Sequence, residues 1–384
     1  MDDLKITVAR TFLELADALE TGATRCRINI AVTGIGCEHG EENVLAGAVR
    51  AAKRGIGVTY LGTLSAPGVA TVRAETEDDC RARMEALLDS GAVDGAVTMH
   101  YPFPIGVATV GRVPTPASGR EMYIAATTGA SGTDRTESLV KNAVYGLITA
   151  KACGVEHPSV GLLNIDGARQ AEAALHRLLS NGYDIRLAES ARSDGGAAMR
   201  GNDVLQGTPD VLVCDSLTGN VLQKMLSAYT TGGAYETVGS GYGPGIGNRD
   251  CARLVLIVSR ASGAPVIANA VGYAAELVRG NWGAVAKAEF AAVDKAGLPS
   301  ILEARKNKQA QAAPEEEVRP PKSEPVPASI MGIEVMDIED AVKVLWKNGV
   351  YAESGMGCTG PLVMMSEKNL DRARVLLRAA GYIE

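Results

Sequence analysis

An apolar strand, a glycine-rich turn and an amphipathic helix come in succession near the head of this chain, and that order constrains the fold more than any other feature. The run Arg27-Ile28-Asn29-Ile30-Ala31-Val32-Thr33 has the branched apolar content of a strand, and Gly34-Ile35-Gly36-Cys37-Glu38-His39-Gly40 follows it as a turn. From about residue 42 to 54, Val44, Leu45, Ala48, Val49 and Ala52 recur at helical spacing. Val58-Thr59-Tyr60-Leu61-Gly62 reads as the next strand. A strand–turn–helix–strand unit of this size closes as a parallel pair joined by a crossover helix.

The pattern recurs along the chain. A helix near 78–90 leads to a strand at 95–99, and a longer helix at about 136–153 leads to a strand at 160–165. A helix at 170–180, a short strand near 185–187 and a strand at 211–215 follow, and 254–258 is continuously apolar, as a strand covered on both faces should be. With 46% hydrophobic residues, 44 glycines and only 4% aromatics, the composition agrees with an α/β fold, a doubly wound and mostly parallel sheet. In such sheets ligands collect at the carboxyl ends of strands. That rule singles out Asn164, after the 160–165 strand, and Asp215 and Asn220, after the 211–215 strand, with Lys224 one turn further on.

Several function classes are disfavoured. A net charge of −7 with no Lys/Arg cluster argues against nucleic acid as a partner. The seven cysteines are scattered, with no Cys-x-x-Cys and no Cys/His pair at metal spacing, so neither a disulfide framework nor a metal site is expected. The first residues are acidic, no signal-like apolar run opens the sequence, and nowhere do 18 apolar residues run together. A reducing cytoplasm and no membrane span are the expectation.

At 384 residues the chain exceeds a single small core. Composition divides it into a body (1–304), a linker rich in proline and charge (305–329) and a compact C-terminal module (330–384). The linker carries Pro314, Pro320, Pro321, Pro325 and Pro327 among Glu315-Glu316-Glu317, Lys322 and Glu324, and almost no apolar residue. In the module, Asp337 is expected to cap a helix through Lys347, and Ser366 a second helix with Leu370, Ala373, Leu376 and Leu377. Between them lie two candidate strands whose connecting loop holds Cys358. Flanked by Gly355, Gly357 and Gly360, this thiol is open to close approach, and of the seven cysteines it best fits a nucleophile.

Phosphate-like anions need donors, and glycine turns present backbone N–H groups. The densest such stretch is Gly241-Tyr242-Gly243-Pro244-Gly245-Ile246-Gly247-Asn248-Arg249, which reads either as an anion cradle or as a surface loop. Gly129-Ala130-Ser131-Gly132-Thr133-Asp134-Arg135, before a helix, reads as an anion turn or as a plain helix start capped by Thr133 or Asp134. His39 stands as a general acid/base or as a polar turn residue, and Cys37 as the second candidate nucleophile.

Two resemblances rest on these segments. The blocks Ile30-Ala31-Val32 through Gly40, Val144-Tyr145-Gly146 through Gly161-Leu162-Leu163-Asn164-Ile165, and Asp210 through Asp215-Ser216-Leu217-Thr218-Gly219-Asn220-Val221 to Lys224 resemble the phosphate acyltransferases of phospholipid synthesis. That family makes acyl phosphate from acyl thioester and inorganic phosphate. Its first turn usually reads Asp-x-Met-Gly-Gly-Asp, and here Thr33 stands in the place of the first acid. The whole chain, with Gly357-Cys358-Thr359-Gly360-Pro361, resembles the component C alpha subunits of glycine/sarcosine/betaine reductase. The resemblance implies that Cys358 carries an acetyl thioester, that phosphate as substrate cleaves it to acetyl phosphate, and that no cofactor is needed. It also implies a thiolase-like beta subunit and a selenoprotein, component A, as partners in an oligomeric complex.

The thiol chemistry sets a condition on this reading. A cysteine with an ordinary pKa of about 8.5 is only slightly ionised at neutral pH, and no His or Lys neighbours Cys358 in sequence. Loop N–H groups are the local candidates for steadying its thiolate, while Glu353 opposes ionisation if it points inward. In the expected mechanism Cys358 accepts the acetyl group and phosphate, held at the strand-end loops by Asn220, Lys224, Gly243, Gly245, Gly247, Asn248 and Arg249, displaces it. The competing readings are a stand-alone phosphate acyltransferase or phosphotransacetylase using acyl-CoA or acyl carrier protein, a decarboxylating dehydrogenase of related architecture, and a non-catalytic scaffold subunit.

Overall fold

The computed structural model describes residues 28–191, 198–230, 245–246, 253–310, 318–333, 337–357 and 360–383. Two compact units are distinguished: residues 1–164 with 174–298, and residues 165–173 with 299–384.

The first unit contains two sheets. Strands β1 (Asn29–Thr33), β2 (Gly57–Gly62), β3 (Ala70–Arg73), β4 (Gly95–Thr98) and β12 (Val255–Ile257) form the first, in the order β12-β4-β1-β2-β3, and every pairing in it is parallel. Helix α1 (Glu41–Lys53) and helix α2 (Glu77–Asp89) are its crossovers. Ala31, Leu61, Cys80, Met84, Ala96 and Val255 pack into one buried cluster of this layer. Glu41, in the first turn of α1, accepts from Tyr60 Oη at 2.9 Å and from Thr63 Oγ1 at 2.6 Å. The loop after β2 is thereby tied to the start of the helix. The short, exposed β3 lacks a strand's apolar alternation and was not expected.

Six strands make the backbone of the second sheet: β5 (Val107–Pro114), β6 (Glu121–Ala130), β7 (Ser159–Leu163), β8 (Arg186–Leu187), β10 (Val211–Val213) and β11 (Gly245–Ile246), with β9 (Ala198–Met199) also pairing β7. The order is β11-β5-β6-β10-β7-β8. From β6 onward the pairings are parallel, whereas β5 runs antiparallel to both β6 and β11. The α/β character and the mostly parallel pairing agree with the sequence reading, but the parallel strands are shared between two sheets, and the β5–β6 hairpin is an addition. Helix α3 (Arg135–Ala152) is buried along most of its length, polar Thr136, Asn142 and Thr149 included. Helices α4 (Ala168–Ser180), α5 (Gly201–Gln206), α6 (Ser216–Thr230), α7 (Ala264–Arg279), α8 (Trp282–Lys295) and α9 (Leu298–Ala310) follow in order. None of the described helices is long and apolar enough to cross a membrane.

In the second unit, β13 (Ala328–Met331), β14 (Ala352–Gly357) and β15 (Gly360–Met365) form an antiparallel sheet in the order β13-β15-β14. Helices α10 (Ile338–Lys347) and α11 (Leu370–Ala379) bury Ala341, Leu345, Ala373 and Leu377 against Ile330, Val363 and Met365. Asp337 stands at the N-cap of α10 but makes no cap hydrogen bond; its carboxylate accepts from Gln170 Nε2 at 2.9 Å. Ser366 opens a 3₁₀ turn (Glu367–Asn369) before α11, and its hydroxyl donates to Glu324 at 2.8 Å. Glu324 also accepts from Asn369 Nδ2 at 2.8 Å and pairs with Lys368 at 2.5 Å. Helix α9 runs past residue 305, and β13 begins before residue 330. Elements therefore reach into both ends of the stretch expected as linker, whose residues 311–317 lie outside those described.

One buried carboxylate fixes the edge of the second sheet. Asp203, in α5, is fully buried and accepts from Ser190 Oγ at 2.8 Å, Ala191 N at 2.9 Å, Arg200 N at 2.9 Å and Thr208 Oγ1 at 3.0 Å. Burial by itself would raise its pKa, but these four donors together outweigh burial and hold it below the usual carboxylate value. A carboxylate whose folded pKa is depressed stabilises the protein above its unfolded pKa of about 3.9, and that contribution fades as pH falls through the folded value. Asp203→Asn is therefore expected to lower stability at pH 7 by about 1–3 kcal/mol in urea unfolding. The difference from wild type should shrink as pH falls below about 4, and a gap independent of pH would contradict this account.

Candidate functional site

Strands β6 and β10 are parallel neighbours in the second sheet, with Val211 opposite Tyr123 and Val213 opposite Ala125. Both end at the same edge, and each is followed by the start of a long helix. Near the end of β6, Gly129 takes φ +84°, where a Cβ would lie 2.4 Å from Val107 O, and Ser131-Gly132-Thr133-Asp134 then leads into α3. After β10, Cys214 and Asp215 lead directly into α6.

The two helix starts are capped alike. Asp134 Oδ1 accepts from Glu137 N at 2.9 Å; Asp215 accepts from Thr218 N at 2.9 Å and from Thr218 Oγ1 at 2.7 Å. Between them opens a cleft of about 270 Å³, lined among others by Ser131, Thr133, Arg135, Ser138, Asn142 and Asp215. The positive ends of two helix dipoles and the charge of Arg135, a residue of the lining, thus act on one small space. Burial would raise the pKa of Asp215. The hydrogen bonds from Thr218 and from the Leu217 N–H, together with the Arg135 charge, more than offset that and keep it below the usual range.

The floor of the cleft is held from inside the fold. Asn142 is only 2% exposed; its Nδ2 donates to Cys214 O at 3.0 Å, and its Oδ1 accepts from the Ser131 hydroxyl. Ser138 Oγ lies within donating distance of two loop carbonyls, Asp134 O at 2.9 Å and Gly132 O at 3.2 Å. On the other wall, α6 crosses β6 so closely that a Cβ at Gly219 would meet Ala126 O at 1.8 Å. Asn220 follows and donates from Nδ2 to Thr127 O at 3.2 Å.

The residues expected from sequence fall in different places. Asp215 lines the cleft, and Asn220 braces α6 against β6. Lys224 is half-buried one turn further along α6 and is not part of the lining. Asn164 is exposed at the end of β7 and gives its N–H to Met199 O at 2.8 Å. His39 is exposed beside the first sheet, with Nε2 donating to Ala261 O at 2.9 Å. Gly245 lies on β11 opposite Thr109, while Gly243, Gly247, Asn248, Arg249 and Cys358 lie outside the described residues.

Gly357 and Gly360, on either side of Cys358-Thr359, are paired in the β14–β15 ladder. Glu353 is exposed and its carboxylate accepts from Tyr351 Oη at 2.6 Å. Thr33, standing where the phosphate acyltransferases carry an acid, is buried and donates to Thr98 Oγ1 at 2.8 Å. Sequence reasoning noted the loop through Arg135 but missed Ser138 and Asn142, whose only signal is a polar residue at helical spacing from the loop.

Among the described cysteines, burial pushes the Cys80 and Cys214 thiols up, and burial with the nearby Glu276 charge raises Cys153 to about 12. These three are disfavoured as nucleophiles at neutral pH. Cys37 is partly exposed, and its sulfur accepts from Asn43 Nδ2 at 3.5 Å. No group of three or more His, Cys, Asp or Glu among the described residues is placed to hold a metal ion.

The approach at Gly219 gives a direct test of the cleft wall. Gly219→Ala should force α6 away from β6 and lower stability by about 1–3 kcal/mol in urea unfolding. Gly272→Ala, where a Cβ meets nothing within 4 Å, should leave stability unchanged or slightly raised.

Comparison with known proteins places this architecture. Residues 28–364 match the family described as "Fatty acid synthesis protein". The chain is 52% identical over 385 aligned residues, covering 100% of both sequences, to a protein of Peptoclostridium acidaminophilum named "Glycine/sarcosine/betaine reductase complex component C subunit alpha". It is 29% identical to the phosphate acyltransferase of Crocosphaera subtropica, over 53% of this chain and 69% of that one. Among solved structures, a branched-chain phosphotransacylase from Enterococcus faecalis V583 aligns at 16% identity with a TM-score of 0.47, over 65% of this chain and 99% of that one. The chain belongs to the fatty acid synthesis protein family and, over its whole length, to the family of the reductase component C alpha subunits.

Proposed function

We propose that this chain is an acyl-transferring subunit of a glycine/sarcosine/betaine reductase, in which Cys358 carries an acetyl thioester that inorganic phosphate cleaves to acetyl phosphate. The observation that carries the reading is the likeness to a component C alpha subunit, which covers the full length of both chains, body and C-terminal module alike. The phosphate acyltransferases match only about half of this chain. A stand-alone enzyme of that kind leaves the C-terminal module without a role.

The cleft between α3 and α6 suits the phosphate. Arg135 supplies a full positive charge, and the Ser131–Asp134 turn supplies N–H groups at a helix start. In the proposed step a phosphate oxygen attacks the thioester carbonyl and the carbonyl oxygen becomes an oxyanion. The C–S bond then breaks, and the Cys358 sulfur leaves with the electron pair and takes up the proton that phosphate gives up. No redox partner is needed. In this reading the acetyl group comes from the selenoprotein component A, with a thiolase-like beta subunit beside this one.

Incubation with a labelled acetyl donor, digestion and mass analysis should place the label on Cys358. Cys358→Ser should reduce acetyl phosphate release by about a thousandfold or more, since the attacking thiolate is lost. Arg135→Gln should raise the KM for phosphate by roughly tenfold or more, the scale of a charged hydrogen bond. Release by Cys358→Ser at the wild-type rate would exclude the mechanism.

A further inference from the structure

The hydrogen-bond directions in the floor of the cleft carry information that its shape does not. Cys214 O is a carbonyl and can only accept, so the Asn142 group facing it at 3.0 Å is the amide NH₂. The Asn142 oxygen must then face Ser131, and an amide oxygen cannot donate. The single hydroxyl hydrogen of Ser131 is therefore committed to Asn142. Both residues are 2% exposed, so the bond between them is sheltered from exchange with water. Toward the cleft, Ser131 Oγ presents lone pairs alone.

The same logic extends to its neighbours. Ser138 directs its hydroxyl hydrogen to the carbonyls of Gly132 and Asp134. Asp215, an ionised carboxylate, only accepts. The cleft thus combines a cation and N–H donors with several oxygens that can only accept. An anion without hydrogen would be attracted by the Arg135 charge but would set its own lone pairs against Ser131. Burying an acceptor without a donor costs about 1–3 kcal/mol, so the mismatch is not small.

We infer that the cleft selects a tetrahedral anion that carries a proton: Ser131, held as an acceptor by Asn142, reads the P–OH of hydrogen phosphate and discriminates against sulfate. Asn142 is the positioning residue and Ser131 the group that touches the anion. The inference rests on the phosphate reading proposed above and adds a basis for choosing among anions of one shape and size.

The test is calorimetric titration of the full-length protein with inorganic phosphate and with sulfate, beside sulfate inhibition of acetyl phosphate release. Wild type should bind sulfate at least about fivefold more weakly than phosphate, the lower end of that penalty. In Asn142→Ala the Ser131 hydroxyl is free to turn and donate, so the phosphate-to-sulfate ratio should fall toward one, by about fivefold or more. A merely structural Asn142 would weaken both anions alike and leave the ratio unchanged.

Ser131→Ala removes the acceptor without touching the Asn142 contact to Cys214. It should bring the ratio close to one by weakening phosphate, which keeps the test available if Asn142→Ala fails to fold. Equal binding of both anions by wild type, or an unchanged ratio in Ser131→Ala, overturns the inference. If wild type discriminates between the anions yet releases no acetyl phosphate from a labelled Cys358, the function proposed above falls, and the anion selectivity stands.

Discussion

One buried amide, that of Asn142, joins the three pieces from which the cleft is made. It stands on α3, holds the carbonyl at the end of β10 with its NH₂, and holds the Ser131 turn after β6 with its oxygen. Moving any one of these pieces would leave a buried polar atom without its partner, which is why the strand ends and the helix start keep one mutual position. Around it, Asp134 and Asp215 cap the two helices, each taking a first-turn N–H, and the two dipoles converge on the cleft.

Much of the fold was legible in the sequence because it rests on local pattern. The strand at β1, helix α1 and the strand at β2 fall within a residue or two of where apolar spacing put them. The elements that escaped reading lack that pattern. Gly111 and Pro114, residue types depleted in strands, interrupt the apolar pattern of β5, and the Ala125-Ala126-Thr127-Thr128 stretch of β6 is too small in side chain to stand out from a loop. The division into two sheets depends on which strands meet, and pairing between residues as far apart as Ile257 and Thr98 leaves no local trace. In the module, helices and hairpin were visible, but the tie of Glu324 to Ser366 and Asn369 joins residues some forty apart and was not.

The candidate site was legible in part, for the same reason. Asp215 follows from the rule that ligands gather at strand ends, and the Gly129–Arg135 turn from its glycines. Their meeting depends on β6 and β10 being neighbours, and β6 was the strand that could not be read. Asn142 sits between Lys141 and Ala143 in a helix, where a polar residue ordinarily faces water. Fourteen of the eighteen residues of α3 are buried, and that is a property of its surroundings and not of its own sequence.

The contact at Gly219 bears on how such a cleft can change. At Gly219, where α6 comes nearest to β6, the group it meets first is main chain, the Ala126 carbonyl. At that point the wall is closed to any added side chain, whereas the opposite wall, from Ser131 to Arg135, meets the cleft with side chains that can be exchanged. The helix side acts as a fixed datum, and the turn is where a lineage has room to vary.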